Sequence, residues 1–290
     1  MSKRKEIGDK VVDKDAMVDD DSGDDDDFDV LDVDFEWFDP QPEVDFHGIK
    51  TLLQQLFDVD AQLFELSALT DLILSQPTLG STVKVDGNET DAYAFLSVLN
   101  LQQHKEQPFM GKIIQYLQTK SRSKPELAPL ADLLSQPTIP SIGLILTERL
   151  INVPSEVVPP MYSMLLEEIQ WAIDDKEPYN FSHYLILSKT YTEVASKLDA
   201  EENRPTKKKK KAAGTSFETM YFHPEDEVLH RHAVCHGGYD YSTKQDEGHS
   251  DSKRAFQELG IKPQGHAILI SADKFKDAVQ DVAEYLKPQA

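Results

Sequence analysis

The chain has 290 residues and a formal charge of −22, from 52 acidic and 30 basic side chains. Residues 1–45 hold 18 of the acidic and 5 of the basic groups, a balance of −13, so the other 245 residues carry only −9. A tail of that sign repels nucleic-acid phosphates and anionic membrane surfaces and favours a basic protein partner. The hydrophobic share of 39% is low for a globular chain and predicts a folded core with polar tails.

Cys235 is the single cysteine, so no internal disulfide forms, which fits a reducing compartment. The opening Met-Ser-Lys-Arg-Lys has no apolar stretch behind it, so no signal peptide is expected. No apolar run reaches the roughly 18 residues that span a bilayer. The expectation is a soluble, intracellular monomer. Residues 1–45 read as an acidic, largely disordered tail. Residues 46–290 read as a single α/β domain with a disordered basic linker at about 199–216.

The tail centres on an acidic block that ends in Asp24, Asp25, Asp26 and Asp27 and repels itself. Apolar residues and carboxylates then interleave from Phe28 to Phe38. One reading is a strand at the boundary of the fold. The other is a segment that grips a basic partner through Phe35, Trp37 and Phe38.

Ile49, Leu52, Leu53, Leu56 and Phe57 recur at helical spacing. A second helix is predicted over Asp60 to Ser75, with Leu63, Leu66, Leu69, Leu72 and Ile73 inward, ending before Pro77. Ser81–Val85 and Ala92–Leu101 read as strands, with an Asp86-Gly87 turn between them. Leu-Ser-Gln-Pro-Thr occurs at 74–78 and again at 134–138, each time after a helical run and before a strand. One short match reads better as a helix stop used twice than as a repeat architecture.

Ile142–Thr147 is a continuous apolar run, as expected of a strand buried on both faces. A helix starting near Met161 and a strand over Phe181 to Tyr191 complete a β–α–β unit. An α/β fold places a phosphate site at such a strand-to-helix connection, which needs glycine and free backbone N–H groups. The connection from Asn152 to Met161 has no glycine and includes Pro159 and Pro160. Proline removes the donor, so no phosphate cradle is expected here. The P-loop pattern and the dinucleotide-binding glycine fingerprint are absent from the sequence.

Lys207, Lys208, Lys209, Lys210 and Lys211 form a basic run in the polar linker. It reads as a solvated loop or, in a chain this acidic, as a nuclear localisation signal. Beyond it, strand patterning runs through His230, His232, Cys235 and His236 to Tyr241, as a long hairpin or a helix-interrupted pair of strands. Ala267–Ile270 is a buried strand and Ala272–Leu286 a last helix.

On a strand, His230, His232 and His236 would share a face. Their spacing matches no zinc finger or ribbon, and no second cysteine pair exists, so no metal is expected. Cys235 as a nucleophile needs an activating base, and its sequence neighbour His236 would point to the opposite face. Glu225, Asp226 and Glu227 read as a charged turn, or as a carboxylate group for acid–base work or partner binding.

The segment Phe35–Phe57, the run Leu185-Ile186-Leu187-Ser188-Lys189, the lysine linker, Met220-Tyr221-Phe222-His223-Pro224-Glu225-Asp226-Glu227 and the segment from His266 to Ser271 together resemble the BCCIP/Bcp family. The likeness covers most of residues 28–290. It implies a nuclear protein that shuttles to the cytoplasm, acts in large-subunit (60S) ribosome biogenesis and nuclear export, and chaperones a basic large-subunit ribosomal protein. Implied partners include nuclear transport receptors, with no direct nucleic-acid contact and no membrane. Animal relatives are implied to bind cell-cycle and DNA-repair proteins. The implied fold is a central mixed sheet flanked by helices, resembling GNAT acetyltransferases without a coenzyme site. No cofactor and no catalytic residue are implied. Two mechanisms follow: a non-enzymatic binding protein, or an acyltransferase with an unconventional coenzyme site.

Overall fold

The central strands are apolar on both faces, and helices cover both. The computed structural model describes residues 33–76, 79–193, 219–243 and 261–287. Its strands are β1 (Phe35–Phe38), β2 (Ser81–Val85), β3 (Ala94–Asn100), β4 (Ile142–Arg149), β5 (His183–Glu193), β6 (Thr219–Tyr221), β7 (Ala233–Tyr239) and β8 (Ile261–Ser271). Its helices are α1 (Pro42–Phe57), α2 (Leu66–Leu74), α3 (Leu101–His104), α4 (Pro108–Arg122), α5 (Ala128–Leu134), α6 (Val158–Asp174), α7 (Glu225–His232) and α8 (Ala272–Tyr285).

The eight strands form one sheet in the order β1-β2-β3-β4-β5-β8-β7, with β6 also paired to β5. Among the described residues only the β4–β5 pair is parallel. That pair is the predicted β–α–β unit, with α6 as the crossover.

Alternation along the strands divides the core in two. Phe95, Leu99, Leu144, Leu146, Leu185, Leu187 and Leu269 pack toward α1, α2, α4 and α5. Leu96, Val98, Ile145, Ile186, Ile268 and Ile270 pack toward α6, α7 and α8. A strand sandwiched this way reads as an unbroken apolar run, which is why β3, β4, β5 and β8 fall where the sequence places them.

The compact unit starts at Asp34, not at residue 46. The strand reading of Phe35–Phe38 is the one the structure adopts: β1 pairs antiparallel with β2, from Phe35↔Val85 to Phe38↔Thr82. Asp45, assigned to the tail by its charge, has a fully buried side chain and lies 2.8 Å from Lys84 Nζ, which is equally buried. Lys84 also donates to the carbonyl and side-chain oxygens of Asn88, at 2.7 and 2.9 Å. Asp45 accepts from the Gln41 N–H at 2.7 Å. Each charge is thus held by more than one partner, as burial requires.

The helix expected over Asp60 to Ser75 is broken. A 3₁₀ segment, Asp58–Leu63, comes first, and Phe64 is extended before α2 begins. The break follows from Asp60, whose buried carboxylate accepts from the N–H groups of Ser242 and Thr243, each at 2.7 Å, and from the Tyr116 hydroxyl at 2.8 Å. Leu63, expected inside, is 43% exposed.

Both Leu-Ser-Gln-Pro-Thr copies act as helix stops. Ser75 and Ser135 cap α2 and α5, their N–H groups donating to the carbonyls of Asp71 and Ala131. Pro77 and Thr78 lie outside the described residues, as do the lysine linker and Asp24 to Asp27. Gly80, at φ 107°, leads into β2 where a side chain would meet the Leu96 carbonyl at 2.5 Å, so only glycine fits the turn. Among the described residues no helix is long and apolar enough to cross a membrane.

Lys84→Ala leaves Asp45 buried without its cation and is expected to cost about 3–5 kcal/mol of stability in urea unfolding. Adding Asp45→Asn to that variant should recover part of the loss.

Candidate functional site at the parting of β4 and β5

β4 and β5 run parallel from Ile142↔His183 to Leu146↔Leu187 and then separate. The end of β4 stays with β3. The end of β5 stays with β8, and β6 pairs with Thr190, Tyr191 and Thr192 on the edge that β4 has left. In a parallel sheet this is the C-terminal mouth of the central strands, where open α/β sheets bind ligands.

The protein's own charged side chains fill the mouth. Lys189 Nζ lies 2.5 Å from Glu148 Oε2, and His223 Nε2 lies 3.2 Å from Glu148 Oε1. Arg149 clasps Glu225 with both terminal nitrogens, at 2.5 and 3.1 Å. His223 Nδ1 faces Glu225 at 3.9 Å and so joins the two ion pairs. Ser188 Oγ donates to Asp226 at 2.6 Å. Lys189 also donates to the Gln55 carbonyl at 3.2 Å, and its ammonium lies 4.8 Å from the Phe222 ring centroid.

By strand alternation Glu148 and Lys189 belong to the α1 side of the sheet, and Arg149 and Ser188 to the α7 side. The network therefore passes through the sheet at the gap. Glu148, Lys189, His223, Glu225 and Asp226 are all buried, Glu148 at 2% exposure.

Burial works to raise the pKa of Glu148, but His223 and Lys189 outweigh it and hold the carboxylate below the ordinary value. Burial likewise works to lower His223, and Glu148, Glu225 and Asp226 outweigh it, so the imidazole is held above its ordinary value. Asp226 goes the other way. Its burial, reinforced by Glu225, pushes its pKa up to about 7 against the pull of His223, the Ser188 hydroxyl and Arg149.

Glu225 and Asp226 do not form an exposed docking surface with Glu227. They start α7 facing inward and are taken up by Arg149 and Ser188; only Glu227 faces solvent. Phe35 and Phe38 are half-buried, and Phe38 lies 5.8 Å from Lys84 Nζ. Trp37 is 37% exposed, donates from Nε1 to the Val157 carbonyl at 3.1 Å, and borders a groove of about 340 Å³ with Phe38, Pro40 and Met164.

The histidines are also placed differently from a single strand. His230 and His232 end α7, and only His236 is on β7. Cys235 packs in the α1-side core, on the face opposite His236, and burial raises its thiol pKa. Glu148, Arg149, Ser188, Lys189 and His223 escaped the sequence reading as a site. For four of them a signal was present: Glu148-Arg149 and Ser188-Lys189 each follow the apolar run of one of two parallel strands, so their ends meet.

The site so described defines a mixed α/β protein whose central strand mouth is closed by its own buried ions. The BCCIP family matches residues 30–229. "Protein bcp1" of Aspergillus fumigatus is 65% identical over 291 residues, covering 99% of both chains. "Protein bcp1" of Schizosaccharomyces pombe is 50% identical, covering 89% of this chain and 91% of its own. The crystal structure of BCP1 from Saccharomyces cerevisiae superposes with a TM-score of 0.60 at 26% identity, covering 92% of this chain and 96% of that one. This chain belongs to the BCCIP family, in its Bcp1 branch.

Asp226 binds its proton more tightly in the folded state than in the unfolded chain. Its contribution is therefore fully present below the ordinary carboxyl value near 3.8 and is lost as pH rises through about 7. Asp226→Asn is expected to flatten this fall, gaining on the order of 2 kcal/mol relative to the parent between pH 4 and pH 8 in urea unfolding at a series of pH values.

Proposed function

We propose that this protein is a non-enzymatic nuclear chaperone and adaptor that binds a basic large-subunit ribosomal protein and supports ribosome biogenesis and nuclear export of protein cargo. The observation that carries the non-catalytic part is the filled mouth between β4 and β5. A coenzyme seated there would have to displace the Glu148–Lys189 and Arg149–Glu225 pairs and leave buried charges unpaired. The first turn of α6 points the same way: Pro159 and Pro160 remove two of its backbone donors. The parallel β4–β5 pair that parts is what supports a GNAT-like shape, and likeness of shape carries no activity.

The partner's chemistry follows from charge. Residues 1–45 carry −13, and β1 begins eight residues after the acidic block ends at Asp27. Among the described residues the first exposed aromatic is Trp37, between the exposed carboxylates of Glu36 and Asp39 and beside the 340 Å³ groove. An acidic arm that leads to an acid-flanked tryptophan suits a lysine- and arginine-rich segment: the arm steers and the ring anchors. Lys207 to Lys211 supply the proposed import signal, read by nuclear transport receptors.

Deleting residues 1–27 should weaken binding of a basic large-subunit ribosomal protein and flatten its salt dependence. Unchanged affinity and slope would make the tail a solubility device. Trp37→Ala should weaken the same binding by roughly 10-fold or more in titration calorimetry. Replacing Lys207 to Lys211 by Gln should exclude a fluorescently tagged chain from nuclei, and normal import would overturn that assignment. Titration with acetyl-CoA should show no micromolar binding; saturable binding would favour the acyltransferase reading.

A further inference from the structure

Three histidines from three elements meet on the α7 side of the sheet. In the β7–β8 register, Gly238 faces His266 and His236 faces Ile268, so the His236 and His266 side chains lie diagonally on one face. α7 packs on that face and brings His230 over them. His230 Nε2 lies 2.8 Å from His266 Nε2, and the His230 ring stacks on His236 with centroids 3.7 Å apart and planes at 9°. One nitrogen from each of the three lies within 4.8 Å of the others. Tyr221 of β6 walls the cluster, its ring centroid 5.1 Å from His230 and 5.9 Å from His266.

As a purely structural cluster the arrangement is poor. Two Nε2 atoms facing each other share at most one proton. His266 is 2% exposed, and its Nδ1 has no hydrogen-bond partner. Burying such a group unpaired costs free energy. His232, the fourth histidine of this stretch, does not belong to the cluster: its Nε2 is held by Asp281 Oδ2 at 2.7 Å.

We propose that His230, His236 and His266 bind one zinc-class divalent transition-metal ion through their imidazole nitrogens, with the fourth coordination position open to solvent. Three imidazoles without a carboxylate are the donor set that zinc, cobalt, nickel and copper prefer over magnesium or calcium. Tetrahedral ligands at about 2.0–2.1 Å from zinc stand about 3.3 Å apart. The His230–His266 pair reaches that spacing by opening about half an ångström from its 2.8 Å contact. His236 must rotate off the stack, and as an exposed side chain it is free to do so. An ion there would tie α7 to β7 and β8, and α7 is the helix that delivers Glu225 and Asp226 to the β4–β5 mouth.

Titrating the full chain with Co2+ at neutral pH, read by visible absorption and by competition with Zn2+, tests this. The expected result is one equivalent bound with the intense bands of four-coordinate cobalt. His236→Ala should weaken it by at least about 100-fold, beyond the 10–100-fold typical of an outer-shell partner. His232→Ala should bind like the parent. Zn2+ should raise the Tm of the parent and of the His232 variant, and not that of the His236 variant. If His236→Ala does not fold, as judged by far-UV circular dichroism, His236→Gln takes its place. Absence of saturable binding, only the weak bands of six-coordinate oxygen ligation, or equal binding by parent and His236 variants would overturn the proposal.

Discussion

The Glu148–Lys189 ion pair and its bridge through His223 to Glu225 and Arg149 set the constraint on which the carboxyl-terminal half of the fold depends. Two parallel strands that part leave unpaired backbone edges and a gap through the sheet. Charged groups close such a gap only when every charge finds a partner, because an unpaired buried ion costs far more than a paired one returns. β6 and α7 are the elements that complete the set: β6 covers the vacated edge of β5, and the turn after it brings His223, Glu225 and Asp226 into the gap. The motif therefore acts as a plug held by ions.

Two smaller buried charges repeat this logic at the periphery. Asp45 with Lys84 ties α1 to β2, and Asp60 ties the turn after α1 to Ser242 and Thr243, more than 180 residues along the chain. For Asp60, burial works to raise its pKa, yet the backbone donors and Tyr116 outweigh it and leave it lowered. Lys120 sits 3.8 Å from the same carboxylate and donates to the Asp240 carbonyl. Apolar packing alone would hold these polar segments weakly. A buried carboxylate that needs several donors holds them in one register, because sliding any donor away exposes a charge with no substitute.

The central strands and α6 and α8 were legible because they obey one-dimensional rules: continuous apolar runs for β3, β4, β5 and β8, and a helical stripe of Phe275, Val279, Val282 and Leu286. α7 was legible only as one of two alternatives, the helix-interrupted pair of strands that the structure adopts, because Val228 and Leu229 are its only buried apolar residues. It had another signal, with Glu225, Asp226 and Glu227 in the first turn and His230, Arg231 and His232 in the last, which matches the helix dipole. Asp45 was assigned to the tail since net charge does not distinguish a solvated carboxylate from one that Lys84 will bury. The Arg149–Glu225, Ser188–Asp226 and His230–His266 contacts that define the mouth and the histidine cluster join residues 76, 38 and 36 positions apart. Those pairings are set by sheet register, which local periodicity does not encode.

The same placement of charge separates folding from recognition. Within the described residues many of the body's carboxylates and cations are neutralised by each other inside the protein, where salt screens them little. The acidic block at 19–27 has no basic residue adjacent in sequence, and charges in solution are screened beyond about 10 Å at 0.1 M salt. Ionic strength therefore acts weakly on the buried pairs that plug the core. Within the described residues, then, the charges that hold the fold are paired in its interior, and a chain with a large net negative charge still builds a core in which buried carboxylates have cationic or hydrogen-bonding partners.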